Sequence, residues 1–194
     1  MELFELFDKV NKTNLTNKHI YNLRLFEYIN NLNVHKKILN EIDENKKQLA
    51  IDFLNKNELN TSPQEFYQSL NKSKHAKMLT PYSISELSKM KLFKIPNMDI
   101  GYALKKYNNE GYKELVAVHN NEIDVSNIGT ELVKSAIKNG AEYLDHYDGY
   151  LSNFYQSLGF DEIDRDKYDS QYDPDGSFAQ KYGKQDVIYR KLKK

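Results

Sequence analysis

The sequence predicts an α+β domain behind an α-helical N-terminal extension. The first 75 residues are polar, with apolar side chains recurring at helical spacing. From about residue 98, short apolar runs are separated by Asn/Gly turn signals. Amphipathic segments ending on glycine lie between the later runs, which gives interleaved helices and strands in a layered arrangement.

In the extension, Leu3, Phe4, Leu6, Phe7 and Val10 fall on one helical face. Thr16 is placed to cap a second helix carrying Ile20, Leu23, Phe26, Tyr28 and Ile29. A third segment sets Val34, Ile38, Leu39, Ile42, Leu49, Phe53 and Leu54 among lysines and glutamates. Ser62-Pro63-Gln64-Glu65 is a helix start, with Ser at the cap and Pro in the first turn. Phe66, Tyr67 and Leu70 form the face that follows. A helical bundle or arm with one apolar stripe is expected, and the stripe is where a protein partner would dock on residues 1–75.

Residues 76–194 make the α+β domain. Ile84, Leu87 and Met90 predict one more helix. Residues 98–104 predict a strand, Asn108-Asn109-Glu110-Gly111 a turn, and residues 112–118 a second strand, together a hairpin. A loop over 124–129 leads to a helix over 130–139, with Leu132, Val133, Ala136 and Ile137 inward and Gly140 as its stop. A short strand over 141–145 precedes a helix over 151–158 that ends at Gly159. The last segment starts at Phe160 and finishes in a strand over 186–190. Between them, residues 161–175 are dense in Asp and Tyr and read as a turn or an acidic rim, which would favour a cationic amine. Asp173-Pro174-Asp175-Gly176 lacks the spacing and closing Glu of a calcium loop.

Composition removes several classes. The 194 residues include no cysteine, so disulfides, thiolate metal sites and a Cys nucleophile are excluded. The five histidines form no HxxxH or HExxH pair, which argues against a zinc enzyme. With 28 basic and 28 acidic residues the net charge is zero, so no strong general affinity for nucleic acid is expected. No apolar run approaches the roughly 18 residues of a membrane span. The acidic, amphipathic first residues do not form a signal peptide. A soluble cytoplasmic protein is expected.

One motif carries a family resemblance. The run Phe154-Tyr155 followed by Gly159-Phe160, after a strand and inside a short helix, resembles the final motif of the GNAT superfamily of acyl-CoA N-acyltransferases. Gly129-Thr130-Glu131-Leu132-Val133 resembles the start of that family's CoA-loop helix. Glu114-Leu115-Val116-Ala117-Val118 falls where the family has its splayed central strand. The resemblance covers residues 98–190 and implies a mixed sheet flanked by helices. A narrower likeness, through Gly140-Ala141, Leu144-Asp145, Asp148-Gly149, Tyr172, Tyr182-Gly183 and Asp186-Val187-Ile188, is to GNAT-like proteins encoded by bacteriophages. Some of these look like virion or injected proteins.

The resemblance implies transfer of an acyl group, most simply acetyl, from CoA to an amine. Asn127, Ile128, Gly129 and Thr130 would receive the pyrophosphate at a helix N-terminus, where free N–H groups and the helix dipole favour anions. Val116, Ala117 and Val118 would hydrogen-bond the pantetheine arm, with Asn153 also on the cofactor side. Tyr155 would protonate the departing thiolate, as a phenol with pKa ~10 can. Asp145, His146 or Glu114 would take the proton from the amine, and no metal is called for.

The pyrophosphate loop departs from the family pattern. Asp124 stands where the family has Arg or Gln, and Asn127 where it has its first glycine. Asn tolerates left-handed backbone, but a carboxylate at Asp124 would repel a pyrophosphate. His119 is read as solvated, and Phe154, Tyr155 and Phe160 also serve as plain core. The competing reading is a binding or structural protein that keeps the fold without the cofactor, such as a virion or host-interaction component.

Overall fold

The computed structural model describes residues 17–56, 59, 61–73, 79–122 and 124–193, with backbone alone for 17–24. The face from Leu3 to Val10 and the Thr16 cap lie outside these residues. The chain divides into two units, one ending at Asn45 and one running from Lys46.

Helix α1 (Asn17–Lys56) is continuous over 40 residues. Two helices were expected here. No Gly or Pro interrupts the stretch, and the Asn cluster at 30–33 costs only a few tenths of a kcal/mol per residue, roughly, in a helix. His35 Nδ1 donates to the Asn31 carbonyl at 2.8 Å, across one turn of that cluster. Within the first unit the helix exposes Phe26, Tyr28, Val34 and Leu39. Among the described residues no helix is long and apolar enough to cross a membrane.

The second unit is built on a six-stranded sheet in the order β1-β2-β3-β4-β6-β5. Its strands are β1 (Lys91–Lys94), β2 (Ile100–Lys106), β3 (Tyr112–Asn120), β4 (Tyr143–Tyr147), β5 (Phe160–Asp166) and β6 (Val187–Leu192). β3 and β4 run parallel and every other neighbouring pair is antiparallel. The helices are α2 (Pro63–Asn71), α3 (Ile84–Leu87), α4 (Gly129–Lys138), α5 (Tyr150–Ser157) and α6 (Ser177–Tyr182). The fold is α+β with a mixed sheet, as the sequence predicted.

Two strands were not expected. β1 is Lys-Leu-Phe-Lys, too short to show a period. β5 carries Asp161, Glu162, Asp164 and Asp166, and these charges made it read as a rim. It is an edge strand, where charged side chains block further pairing. Arg165 on β5 donates to Asp148 at 2.7 Å, to Glu162 at 2.9 Å and to Asp186 at 3.1 Å.

Helices cover both faces of the sheet, because β2 alternates. Ile100, Tyr102 and Leu104 pack with Leu115, Leu132, Val133, Leu144 and Phe160 on the α4 and α5 face. Ala103 and Val116 pack with Phe66, Leu70 and Leu87 on the α2 and α3 face. The Tyr102 hydroxyl is matched inside the core by Ser135 Oγ at 2.9 Å and Asn139 Nδ2 at 3.0 Å. Ala50 and Leu54 of α1, with Leu59, join the first cluster, so residues 46–70 contribute to both sides of this unit. Ser62 caps α2 in a capping box with Glu65.

His119 is not solvated. It is 4% exposed, and its ring packs edge-on to Phe66 at 5.2 Å. Nδ1–H donates to the Ala117 carbonyl at 3.0 Å, and Nε2 accepts from the Ser69 hydroxyl at 2.8 Å. Burial lowers its pKa and keeps the imidazole neutral. The partners that bury it lie on α2, about 50 residues earlier, and nothing local to β3 announces them.

Phe66 is fully buried, so Phe66→Ala is expected to cost about 3–5 kcal/mol in urea denaturation. Ile42→Ala, at an exposed position on α1, is expected to stay within about 0.5 kcal/mol of wild type.

Candidate active site

The site begins where the sheet opens. β3 and β4 pair only at Glu114↔Tyr143 and Leu115↔Leu144, although β3 continues to Asn120 and β4 to Tyr147. Just past the last of these pairs β3 carries a bulge. Gly101 pairs with His119 and Ala103 with Val116, so β3 spends one residue more than β2 over this stretch. Ala117 absorbs the difference with a left-handed φ of 52°. A bulge bends its strand, and here the strand bends where its contact with β4 ends. Val116 and Ala117 both pack on the α2 and α3 face, and Val118 packs on the other. Their side chains are therefore core. Past Leu115 the β3 main chain makes no ladder with β4. The Ala117 carbonyl is already engaged by His119.

The N-terminus of α4 follows a loop that returns from the end of β3. Asn120 Nδ2 donates to the Val125 carbonyl at 2.5 Å, and Asn120 Oδ1 accepts from the Glu122 amide at 3.1 Å. Asn127 adopts φ 57°, the left-handed turn that Asn permits. The cap residue, Ile128, is buried and provides no side-chain hydrogen bond, so the amides of Gly129 and Thr130 begin the helix uncapped. A Cβ on Gly129 would lie 3.5 Å from the Phe154 ring, which brings the start of α4 against α5.

Asp124 is charge-compensated. Lys46 Nζ lies 2.9 Å and 3.0 Å from its two carboxylate oxygens and 2.6 Å from Glu122. The hydrogen bond from Lys46 lowers the Asp124 pKa, and the two acids raise that of Lys46, chiefly through the Glu122 hydrogen bond. The sequence assigned Lys46 no role. It lies 78 residues from Asp124 on a helix whose other lysines look the same.

Tyr155 of α5 is 8% exposed, with its ring 5.2 Å from His146 and 6.2 Å from Phe160. Burial, and secondarily the charge of Asp145, push its phenol up to about 12. It therefore keeps its proton at neutral pH, and its hydroxyl makes no hydrogen bond among the described residues. His146 is committed at both nitrogens. Nδ1–H donates to the Tyr147 carbonyl at 2.7 Å, and Nε2 accepts from Arg190 Nε–H at 2.8 Å. These two bonds leave no lone pair free to take a proton, and burial lowers its pKa too. Asn153 is exposed on α5. Asp148, just before α5, accepts from the Ser152 hydroxyl, Arg165 and the Gly149 amide, and these bonds hold it well below the usual carboxylate range.

Glu114 and Asp145 come together on the other face. Leu115 and Leu144 point towards α4 and α5, so their neighbours Glu114 and Asp145 point away. Both line a cavity of about 650 Å³ together with Tyr82, Met90, Lys105 and Tyr189. Burial raises the Glu114 pKa, opposed by Lys105 at 3.4 Å. Burial also raises that of Asp145, which makes no ion pair among the described residues. Asp145 presents surface to solvent and is still desolvated, as expected of a group on the floor of a concave pocket. Tyr155 does not line this cavity. Tyr82, Lys105 and Tyr189 carried no signal in the sequence. The register between strands brings them together.

No protein family's sequence pattern matches the chain, and no curated protein is similar to it. Among solved structures, it is similar to a GNAT family acetyltransferase from Elizabethkingia anophelis with acetyl-CoA bound. The two are 21% identical over 60% of this chain and 86% of that one, with a TM-score of 0.39. At that likeness, function has to be read from this chain's own geometry.

A carboxyl whose pKa is raised by folding holds its proton more tightly in the folded chain. Stability is then lost as pH climbs from the ordinary aspartate value through the raised one. Asp145→Asn has no charge to bury. It is expected to melt above wild type at about pH 7, with the gap closing towards about pH 3, in thermal melts across that range. Parallel melting curves would contradict the desolvated setting of Asp145.

Proposed function

We propose that the chain is a GNAT-type N-acyltransferase that moves an acetyl group from CoA to an amine. The observation that carries this reading is the opening of the sheet after Leu115 and Leu144, at a bulged β3, with an uncapped helix N-terminus reached by the loop that leaves it. This is similar to the splayed central strand of the superfamily that the Phe154-Tyr155 and Gly159-Phe160 motif resembles.

The residues present fit a CoA thioester. The amides of Gly129 and Thr130 would hold the pyrophosphate, favoured by the dipole of α4. The left-handed Asn127 and the Lys46-compensated Asp124 remove the main objections to an anion there. Main-chain groups of Val116 and Val118 would hold the pantetheine arm in the wedge. Bound acetyl-CoA supplies an acyl carbon activated by its sulfur.

The proton bookkeeping falls to three side chains. The amine nitrogen bonds to the acyl carbon while the carbon–sulfur bond breaks. Tyr155 gives its phenolic proton to the leaving sulfur, a task suited to an acid that stays protonated at neutral pH. Glu114 or Asp145 takes the proton that the amine loses. Their raised pKa values bring them closer to neutrality, where a general base works best.

Calorimetric titration with acetyl-CoA, followed by an amine screen for turnover, tests the reading. Wild type is expected to bind. Tyr155→Phe is expected to bind equally well and to lose turnover by roughly 10²–10³-fold. Absence of binding in wild type would leave a GNAT-like scaffold without its cofactor.

A further inference from the structure

The cavity behind the β3–β4 join has a charge balance that identifies what it takes. Glu86, Glu114 and Asp145 supply three acids, and Lys89, Lys105 and Lys106 three bases. Most of these are already engaged. Glu86 closes the capping box of α3 with Ser83. Glu114 faces Lys105 at 3.4 Å. Lys106 sits over the Tyr112 ring at 5.4 Å. Two charges of opposite sign are left without a hydrogen bond or ion pair to another side chain among the described residues: the Asp145 carboxylate, which feels the Lys105 charge at longer range, and the Lys89 ammonium, which feels Glu86 in the same way.

Two tyrosines of the lining are neutral. Tyr189 lies opposite Asp145 in the β4–β6 register, and its hydroxyl is held by Asp166 at 2.8 Å, so its ring is a fixed surface. Burial pushes the Tyr82 phenol up to about 12, so it stays uncharged at neutral pH. A volume of about 650 Å³ is within the usual range for small-molecule sites.

We infer that this cavity is an acceptor subsite for a small zwitterionic amine of the amino-acid type, with its ammonium on Asp145 and its anionic group on Lys89. This rests on the acyltransferase reading for the word acceptor, and on the cavity alone for the ligand class. A bare polyamine on Asp145 would leave Lys89 without a counter-charge. A bare carboxylate on Lys89 would leave Asp145 without a counter-charge. An ammonium on Asp145 stands where the sheet parts, beside Glu114, so its nitrogen reaches the wedge from the face opposite Tyr155.

The test is calorimetric titration of the full chain with 4-aminobutyrate and 6-aminohexanoate as probes, against 1-aminohexane, hexanoate and spermidine. It is run with and without coenzyme A, on wild type, Asp145→Asn and Lys89→Met. At least one amino acid is expected to bind wild type about 10-fold more tightly than the amine or the acid alone, as two charge-assisted contacts require. Asp145→Asn is expected to abolish that binding. Lys89→Met is expected to reduce it to the level of the bare amine. That preference in either series, with or without coenzyme A, supports the inference. Equal binding of 1-aminohexane, preference for spermidine, indifference to Lys89→Met, or no binding in both series would overturn it. Amino-acid binding by a chain that does not bind acetyl-CoA would keep the cavity assignment and remove the acyl-transfer reading. The reverse result would do the opposite.

Discussion

β3 and β4 are held together by two residue pairs and then part. The rest of the candidate site depends on that short join. Were the pairing to continue, the main chain beyond Leu115 would be satisfied within the sheet and unavailable to anything else. The bulge at Ala117 keeps it from continuing. A non-glycine residue in left-handed backbone carries a cost of the order of 1 kcal/mol, and it persists here because both flanking packing layers hold it. Val116 and Ala117 are fixed by Phe66, Leu70 and Leu87 on one side, and Val118 by the core on the other. The neutral, buried His119 takes the carbonyl that the bulge turns away. Two hydrophobic layers thus maintain an irregularity in the strand between them.

The join also separates two chemical environments. On the α4 and α5 face, Tyr155 sits among aromatic rings and is kept protonated by burial. On the α2 and α3 face, Glu114 and Asp145 sit in a polar cavity and are drawn towards neutrality. Burial raises the pKa on both surfaces, so a phenol that keeps its proton and two desolvated carboxyls lie on opposite sides of one opening. The same desolvation that tunes the carboxylates costs stability. Buried, incompletely paired acids are therefore more readily explained by function than by folding.

The α+β class and the order of helices and strands from residue 98 to residue 159 were legible, because the hairpin at residues 100–120 and the glycine-stopped helices carry local signals. Residues 130–138 show a clean apolar face, and Gly140 follows it. β5 was not legible, since its charges hide a strand whose pairing comes from β6. At the site, Asn127 could be read locally, and the left-handed turn is there. The compensation of Asp124 by Lys46, the burial of His119 by Ser69 and Phe66, and the meeting of Glu114 with Asp145 could not. Each joins residues far apart in the chain, and no periodicity or spacing records a tertiary contact.

Amide hydrogen exchange with and without acetyl-CoA tests the open edge most directly. Acetyl-CoA is expected to slow exchange at Val116 and Val118 on β3, and at Gly129 and Thr130 at the start of α4, while amides of β2 hardly change. Unchanged exchange at all four, or protection confined to other parts of the chain, would contradict an open strand edge that receives the cofactor.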